Sequence, residues 1–222
     1  IAVEFGLALK SIAIVPHGIP VPPEMPVRRP TADRCEILYV GRFEHRKGID
    51  LLLAALPAVL RVSPHVTATL VGSDRDGYWQ TRWRQTAPSD VCHRVQFIGV
   101  VDAAALAAHY RTADLFVAPS RYESFGLIFV EAMAHSLPVV ALRAPGAIDL
   151  IEDNLTGRLA PPEDFAALAA ALTELALDPA RRARLGLAAR RAVETRYSLP
   201  ALATASTALY RETLAGPRAV PS

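Results

Sequence analysis

Four charged side chains in two short stretches are the residues of this chain best placed to do chemistry. Glu123 and Glu131 lie eight apart in Glu123-Ser124-Phe125-Gly126-Leu127-Ile128-Phe129-Val130-Glu131, and Arg42 and Lys47 lie five apart in Gly41-Arg42-Phe43-Glu44-His45-Arg46-Lys47-Gly48. The first stretch reads as a helix from about Phe125 to Ala134 with Ser124 as its cap. The unpaired N–H groups and the dipole of its first turn suit an anion such as a phosphate. Gly126 in that turn would let a ligand approach the backbone without meeting a side chain. At about 1.5 Å per residue, Glu131 sits on the order of 10 Å along the axis from the helix start. That is about the span from a terminal phosphate to the ribose of a nucleoside diphosphate. Glu131 could therefore take both ribose hydroxyls, as acidic residues do in other nucleotide sites. Glu123 would repel a phosphate and instead suits sugar hydroxyls or positive charge developing on a sugar carbon. A helix with an acidic first turn and one exposed glutamate accounts for the same residues equally well.

Arg42 and Lys47 follow a short apolar run, so they sit where a strand ends. A diphosphate leaving group needs either a metal ion or fixed cations, and an arginine fork with a lysine point charge supplies the cations. The plainer reading is a solvated basic turn. Asp74-Arg75-Asp76 could hold a divalent metal on a diphosphate, or form an ordinary turn with Gly77. The loop Pro145-Gly146-Ala147-Ile148-Asp149 could border a sugar pocket or only turn the chain. The histidines have no ligand spacing, and His135 at a helix C-terminus is explained by the dipole. Trp79 and Trp83, four apart on a helix, read as packing residues. Signatures of serine hydrolases, zinc proteases, P-loop proteins and dehydrogenases are absent.

The elements that must position these residues alternate. Strands are expected at Ser11–Val15, Ile37–Val40, Val66–Val71, Val95–Ile98, Leu115–Ala118, Pro138–Leu142 and Gly157–Ala160. Helices are expected at Gly48–Val62, 77–87, from Asp102 as cap to Thr112, at the Glu123–Glu131 stretch, and at Glu163–Ala176, Pro179–Thr195 and Pro200–Leu214. This implies an α/β, Rossmann-like parallel sheet with helices on both faces. The strand-closing residues Gly41, Gly72, Gly99 and Ser120 then share the carboxyl edge, where ligands bind such sheets. Residues 20–35 are Pro-rich and read as a connector, with the main unit over 36–197 and a C-terminal helix and tail over 198–222.

The chain has 222 residues, 51% hydrophobic and 21% charged, with net charge +2, which is a globular composition with no argument for nucleic acid. No run has the length of a membrane span and no signal peptide is visible. Cys35 and Cys92 lack ligand spacing and read as reduced thiols in a cytoplasmic protein. The opening IAVEFGLALKS lacks an initiator Met and resembles a helix tail, so a piece of a longer protein is expected.

Taken in order, these motifs resemble the C-terminal half of retaining GT-B glycosyltransferases, glycosyltransferase family 4 (group 1). The E-x7-E signature resembles Glu123 to Glu131, flanked by Pro119-Ser120 and Ala132-Met133-Ala134. The G-R-x4-K-G loop resembles Gly41 to Gly48, residues 97–120 resemble the stretch leading into the signature, and Val15-Pro16-His17-Gly18-Ile19 resembles the interdomain junction. Two positions depart from the pattern: Ser136 stands where Gly is usual, and His17 where Asn is commoner.

The resemblance implies roles. Arg42 and Lys47 would bind the donor diphosphate, and Ser124, Phe125, Gly126 and Leu127 would line it, the last three through backbone N–H groups. Glu131 would bind the ribose, Glu123 would contact the sugar near the reacting carbon, and the backbone at Val100 would border the base. The activity implied is metal-independent hexose transfer, with no cofactor and a UDP-, GDP- or ADP-sugar as donor. Residues 1–19 would be the end of an N-terminal domain that binds the acceptor, and that domain could place the protein peripherally at a membrane. This chain alone is then expected to bind donor weakly and transfer nothing. Its C-terminal helix could pair two copies. The rival readings are a sugar-nucleotide epimerase of the same fold and a non-catalytic nucleotide-binding module.

Overall fold

A computed structural model describes residues 13–23 and 34–215. Six strands, β1 (Cys35–Val40), β2 (Val66–Val71), β3 (Val95–Phe97), β4 (Leu115–Ala118), β5 (Val139–Leu142) and β6 (Gly157–Ala160), form one parallel sheet in the order β3-β2-β1-β4-β5-β6. Every residue of β4 and β5 is buried, as central parallel strands covered on both faces require. The helices are α1 (Ile49–Arg61), α2 (Tyr78–Thr86), α3 (Ala103–Thr112), α4 (Leu127–Ala134), α5 (Phe165–Leu177), α6 (Pro179–Ala192) and α7 (Leu199–Ala215).

The period-two alternation of each strand feeds two cores. Ile37 and Tyr39 of β1 join Leu52, Leu56 and Val59 of α1, Trp83 of α2 and Leu168 and Leu172 of α5 on one face. Leu38 and Val40 join Tyr110 of α3 and Phe129, Val130 and Met133 of α4 on the other. The expected sheet and its two-sided cover are therefore present. Helix starts follow ordinary capping chemistry: Asp102, Asp164 and Asp178 each accept a 2.8 Å bond from a backbone N–H three residues on. Trp83 is buried and Trp79 packs beside it, so both are packing residues.

Boundaries differ in places. Of the strand expected at Ser11–Val15, residues 11 and 12 lie outside the described residues, and 13–15 form no strand. Ile19 instead bridges to Ser198: its N–H donates to Tyr197 O at 2.8 Å, and its carbonyl accepts from Leu199 N–H at 3.1 Å. Ile19 is thus tied to the start of α7. Most of the expected connector (24–33) and the tail (216–222) lie outside the described residues. No residue of α7 is buried, and Tyr210 and Leu214 are 70% and 86% exposed. The helix expected to reach Thr195 ends at Ala192 and continues as a wider turn over Val193–Tyr197. Among the described residues no helix is long and apolar enough to cross a membrane.

Candidate functional site

The strand order reverses between β1 and β4. β1 leads into α1 on one face and β4 into α4 on the other, so their loops part at the carboxyl edge and leave a crevice. Both charged stretches of the sequence meet there. The loops interlock: Arg121 N–H donates to Arg46 O at 2.9 Å, and Arg46 Nη1 donates to Tyr122 O at 3.1 Å. Gly48 has φ +70°, and a Cβ on it would lie 1.9 Å from Pro119 O, so only glycine permits this contact.

Lys47 Nζ lies 2.6 Å from Glu123 Oε1, with side chains only 14% and 10% exposed. Ser120 Oγ donates to the same oxygen at 2.8 Å. Glu123 N–H donates to Pro145 O at 3.1 Å, so the Pro145–Asp149 loop lies against Glu123. The Arg42 side chain is 64% exposed and lies 3.0 Å from Glu44 Oε1. Gly72 N–H donates to Gly99 O at 2.8 Å, which fastens the loop carrying Val100, itself 78% exposed, to the loop after β2.

Two expectations about α4 are corrected. The helix begins at Leu127, and its cap is Gly126 with φ 95° and ψ 47°. Ser124 is exposed and caps nothing, because it stands two residues ahead of the cap position. Gly126 is buried: a Cβ on it would lie 2.6 Å from Phe129 Cδ2 and 3.2 Å from Leu150 Cδ1. Its missing side chain makes room for the Phe129 ring. Leu127 and Ile128 present N–H groups that no hydrogen bond among the described residues uses.

One turn into α4, Glu131 Oε2 accepts a 3.0 Å bond from the Tyr110 hydroxyl of α3. Burial raises the Glu131 pKa above its ordinary value, and the Tyr110 bond partly offsets this. The Tyr110 ring stacks on His135 at 5.1 Å and 15°, and His135 Nδ1 lies 2.8 Å from Glu131 O.

Two residues that organise this edge carry no signal in the sequence. Arg121 binds Asp50 through both Nη atoms at 2.9 Å and Glu163 through Nε and Nη2 at 2.6 and 2.7 Å. Tyr110 likewise finds its partner across 21 residues. Neither separation leaves a local spacing signal. The Asp74-Arg75-Asp76 segment is a turn: Asp74 accepts from Trp79 and Gln80 N–H at 3.2 and 2.9 Å, while the Asp76 side chain is 89% exposed.

The sheet order and the covering helices define a Rossmann-like fold, the GT-B half expected above. The chain belongs to the family Glycosyl transferases group 1, which matches residues 34–178. It is 34% identical over 215 residues to the glycogen synthase of Mycobacterium tuberculosis, covering 96% of this chain and 51% of that protein. It is 34% identical over 165 residues to a GDP-mannose-dependent phosphatidylinositol monomannoside mannosyltransferase of Mycolicibacterium smegmatis, covering 71% and 43%. The chain thus spans about half the length of the curated relatives it matches. Sucrose-phosphate synthase of Thermosynechococcus elongatus superposes with a TM-score of 0.79 at 33% identity, covering 97% of this chain and 56% of that one. Anabaena HepE, solved with UDP and glucose, superposes at 0.66 with 26% identity, covering 83% and 49%. The C-terminal domain of the group 1 protein LpcC of Francisella tularensis superposes at 0.71 with 26% identity, covering 79% of this chain and 95% of that domain.

Proposed function

We propose that this chain is the donor-binding half of a retaining, metal-independent hexosyltransferase that uses a nucleoside-diphosphate sugar. The observation that carries the reading is the convergence of Lys47, Glu123 and the free start of α4 at the reversal between β1 and β4. Lys47 and the Arg42 fork take the diphosphate, with the N–H groups at Phe125, Gly126 and Leu127. Glu131 takes the ribose hydroxyls, Glu123 the hexose beside its anomeric carbon, and the backbone at Val100 borders the base. Arg42, 64% exposed, exchanges its Glu44 contact for a phosphate.

In the reaction the bond from the anomeric carbon to the diphosphate oxygen breaks, and the nucleoside diphosphate leaves with the electron pair. The acceptor oxygen bonds to the same carbon and its hydroxyl proton is released. The fixed cations at Lys47 and Arg42 stabilise the departing charge, the work a divalent ion performs in metal-dependent transferases. The acceptor site lies in a further domain, and this half alone transfers nothing.

The test is calorimetric titration with UDP, GDP and ADP, with and without Mg²⁺. Binding of one diphosphate without metal, lost in Glu131→Ala, is expected and names the base. Binding that requires Mg²⁺ and ignores Glu131 would overturn the assignment.

A further inference from the structure

Glu131 ends a side chain with three rotatable bonds, and freezing such a chain costs about 1.5–2 kcal/mol. A residue that must receive two hydroxyls at once gains from being frozen before the ligand arrives. The structure holds it from one side only. Tyr110, 2% exposed, donates to Oε2 at 3.0 Å, and no hydrogen bond among the described residues uses Oε1. The phenol is itself held, its ring lying between Phe116 at 5.8 Å and the stacked His135 at 5.1 Å. His135 in turn is anchored to the main-chain carbonyl of Glu131. Two rings and one carboxylate therefore brace one another across α3 and α4.

We infer that Tyr110 is a positioning residue for donor binding: its hydroxyl holds the Glu131 carboxylate so that Oε1 is presented to the ribose. The inference rests on the ribose role proposed for Glu131. An ionised carboxylate offers about four acceptor sites. Tyr110 occupies one on Oε2, which leaves the two on Oε1 for the 2′ and 3′ hydroxyls. A purely structural tyrosine would affect every nucleotide alike, whereas a positioning one sets how strongly the ribose hydroxyls are recognised.

The decisive experiment compares the diphosphate that binds with its 2′-deoxy form, by calorimetry on the purified chain, in wild type, Tyr110→Phe, Glu131→Ala and the double variant. Tyr110→Phe is expected to weaken the ribonucleotide roughly 5–10-fold, the size of one hydrogen bond, and to narrow the ribo-to-deoxy ratio. The double variant is expected to match Glu131→Ala. Equal weakening of both nucleotides, no weakening, or effects that add in the double variant would overturn the role of Tyr110 alone. Unchanged affinity in Glu131→Ala, or no binding of UDP, GDP or ADP by the wild type, would overturn the donor-site reading and this inference with it. If Tyr110→Phe does not fold, Tyr110→His, which keeps a ring and a donor, enters the same cycle and is judged by the same criteria, with the weakening and narrowing expected to be smaller.

Discussion

Lys47 Nζ lies 2.6 Å from Glu123 Oε1, and this contact joins the loop after β1 to the loop after β4 across the reversal of the sheet. The two residues are 76 apart in sequence, and each offsets the other's charge. In the proposed donor role, a diphosphate would have to take Lys47 from Glu123 or share it. Lys47→Ala is expected to weaken UDP binding roughly 10–100-fold, the loss of a charge-assisted bond of about 1.5–3 kcal/mol. Glu123→Gln keeps the Ser120 contact but removes a repelling charge, so UDP itself is expected to bind about 5-fold tighter while transfer in the full-length protein is lost. Calorimetry reads both, and weaker UDP binding by Glu123→Gln would contradict this account.

Glu131 supplies a pH dependence. Burial raises its pKa and the Tyr110 bond opposes this, with a net rise above the ordinary 4.5. The folded protein therefore binds more protons than the unfolded chain in the window upward from 4.5, and the carboxylate costs stability as pH rises through it. Glu131→Gln is expected to melt higher than wild type at neutral pH while binding UDP more weakly. On acidification the wild type is expected to lose its affinity advantage over Glu131→Gln at a pH above 4.5. Equal melting temperatures at pH 7 would argue against the burial penalty.

Arg121 braces the loop after β4 against Asp50 of α1 and Glu163. Burial pushes the Asp50 pKa up, but the hydrogen bonds and charge of Arg121, with His45, outweigh it and hold Asp50 below the ordinary 3.8. That stability is present above 3.8 and is lost as pH falls through the lowered value. Arg121→Ala is expected to cost about 1–3 kcal/mol by denaturant unfolding at pH 7. The gap should close in strong acid, and a constant gap across pH would remove the ion pairs as its cause.

Gly126 combines φ 95° with a Cβ position 2.6 Å from Phe129. Gly126→Ala is expected to cost roughly 2–4 kcal/mol, from left-handed strain together with overpacking. Because the same residue starts α4, UDP affinity should fall as well. A melting temperature within about 2 °C of wild type would mean the helix start relaxes freely.

Ser136 sits at φ 57°, a conformation that suits glycine. Ser136→Gly is expected to relieve about 1–2 kcal/mol of strain against about 0.5–1 kcal/mol of added unfolded-state freedom. A gain of about 2 °C in melting temperature follows, with UDP affinity unchanged. A fall in melting temperature would show that the Ser136 side chain contributes more than its backbone costs.

The sheet, the helices and the two charged stretches were legible in the residues themselves, because period and capping chemistry are local. Leu115–Ala118 announces a buried strand, and Asp102, Asp164 and Asp178 announce helix starts. Ser124 misled because a good capping residue lay two positions from where the chain turns, and the turn is set by how Gly126 packs on Phe129 and Leu150. The contacts between the stretches were not legible. Lys47 with Glu123, Tyr110 with Glu131 and Arg121 with Asp50 and Glu163 join residues 21 to 76 apart. Sequence alone determined which groups the protein carries and at which strand ends. Only the reversal of strand order, a property of how six strands associate, decided which of those groups face one another across a single crevice.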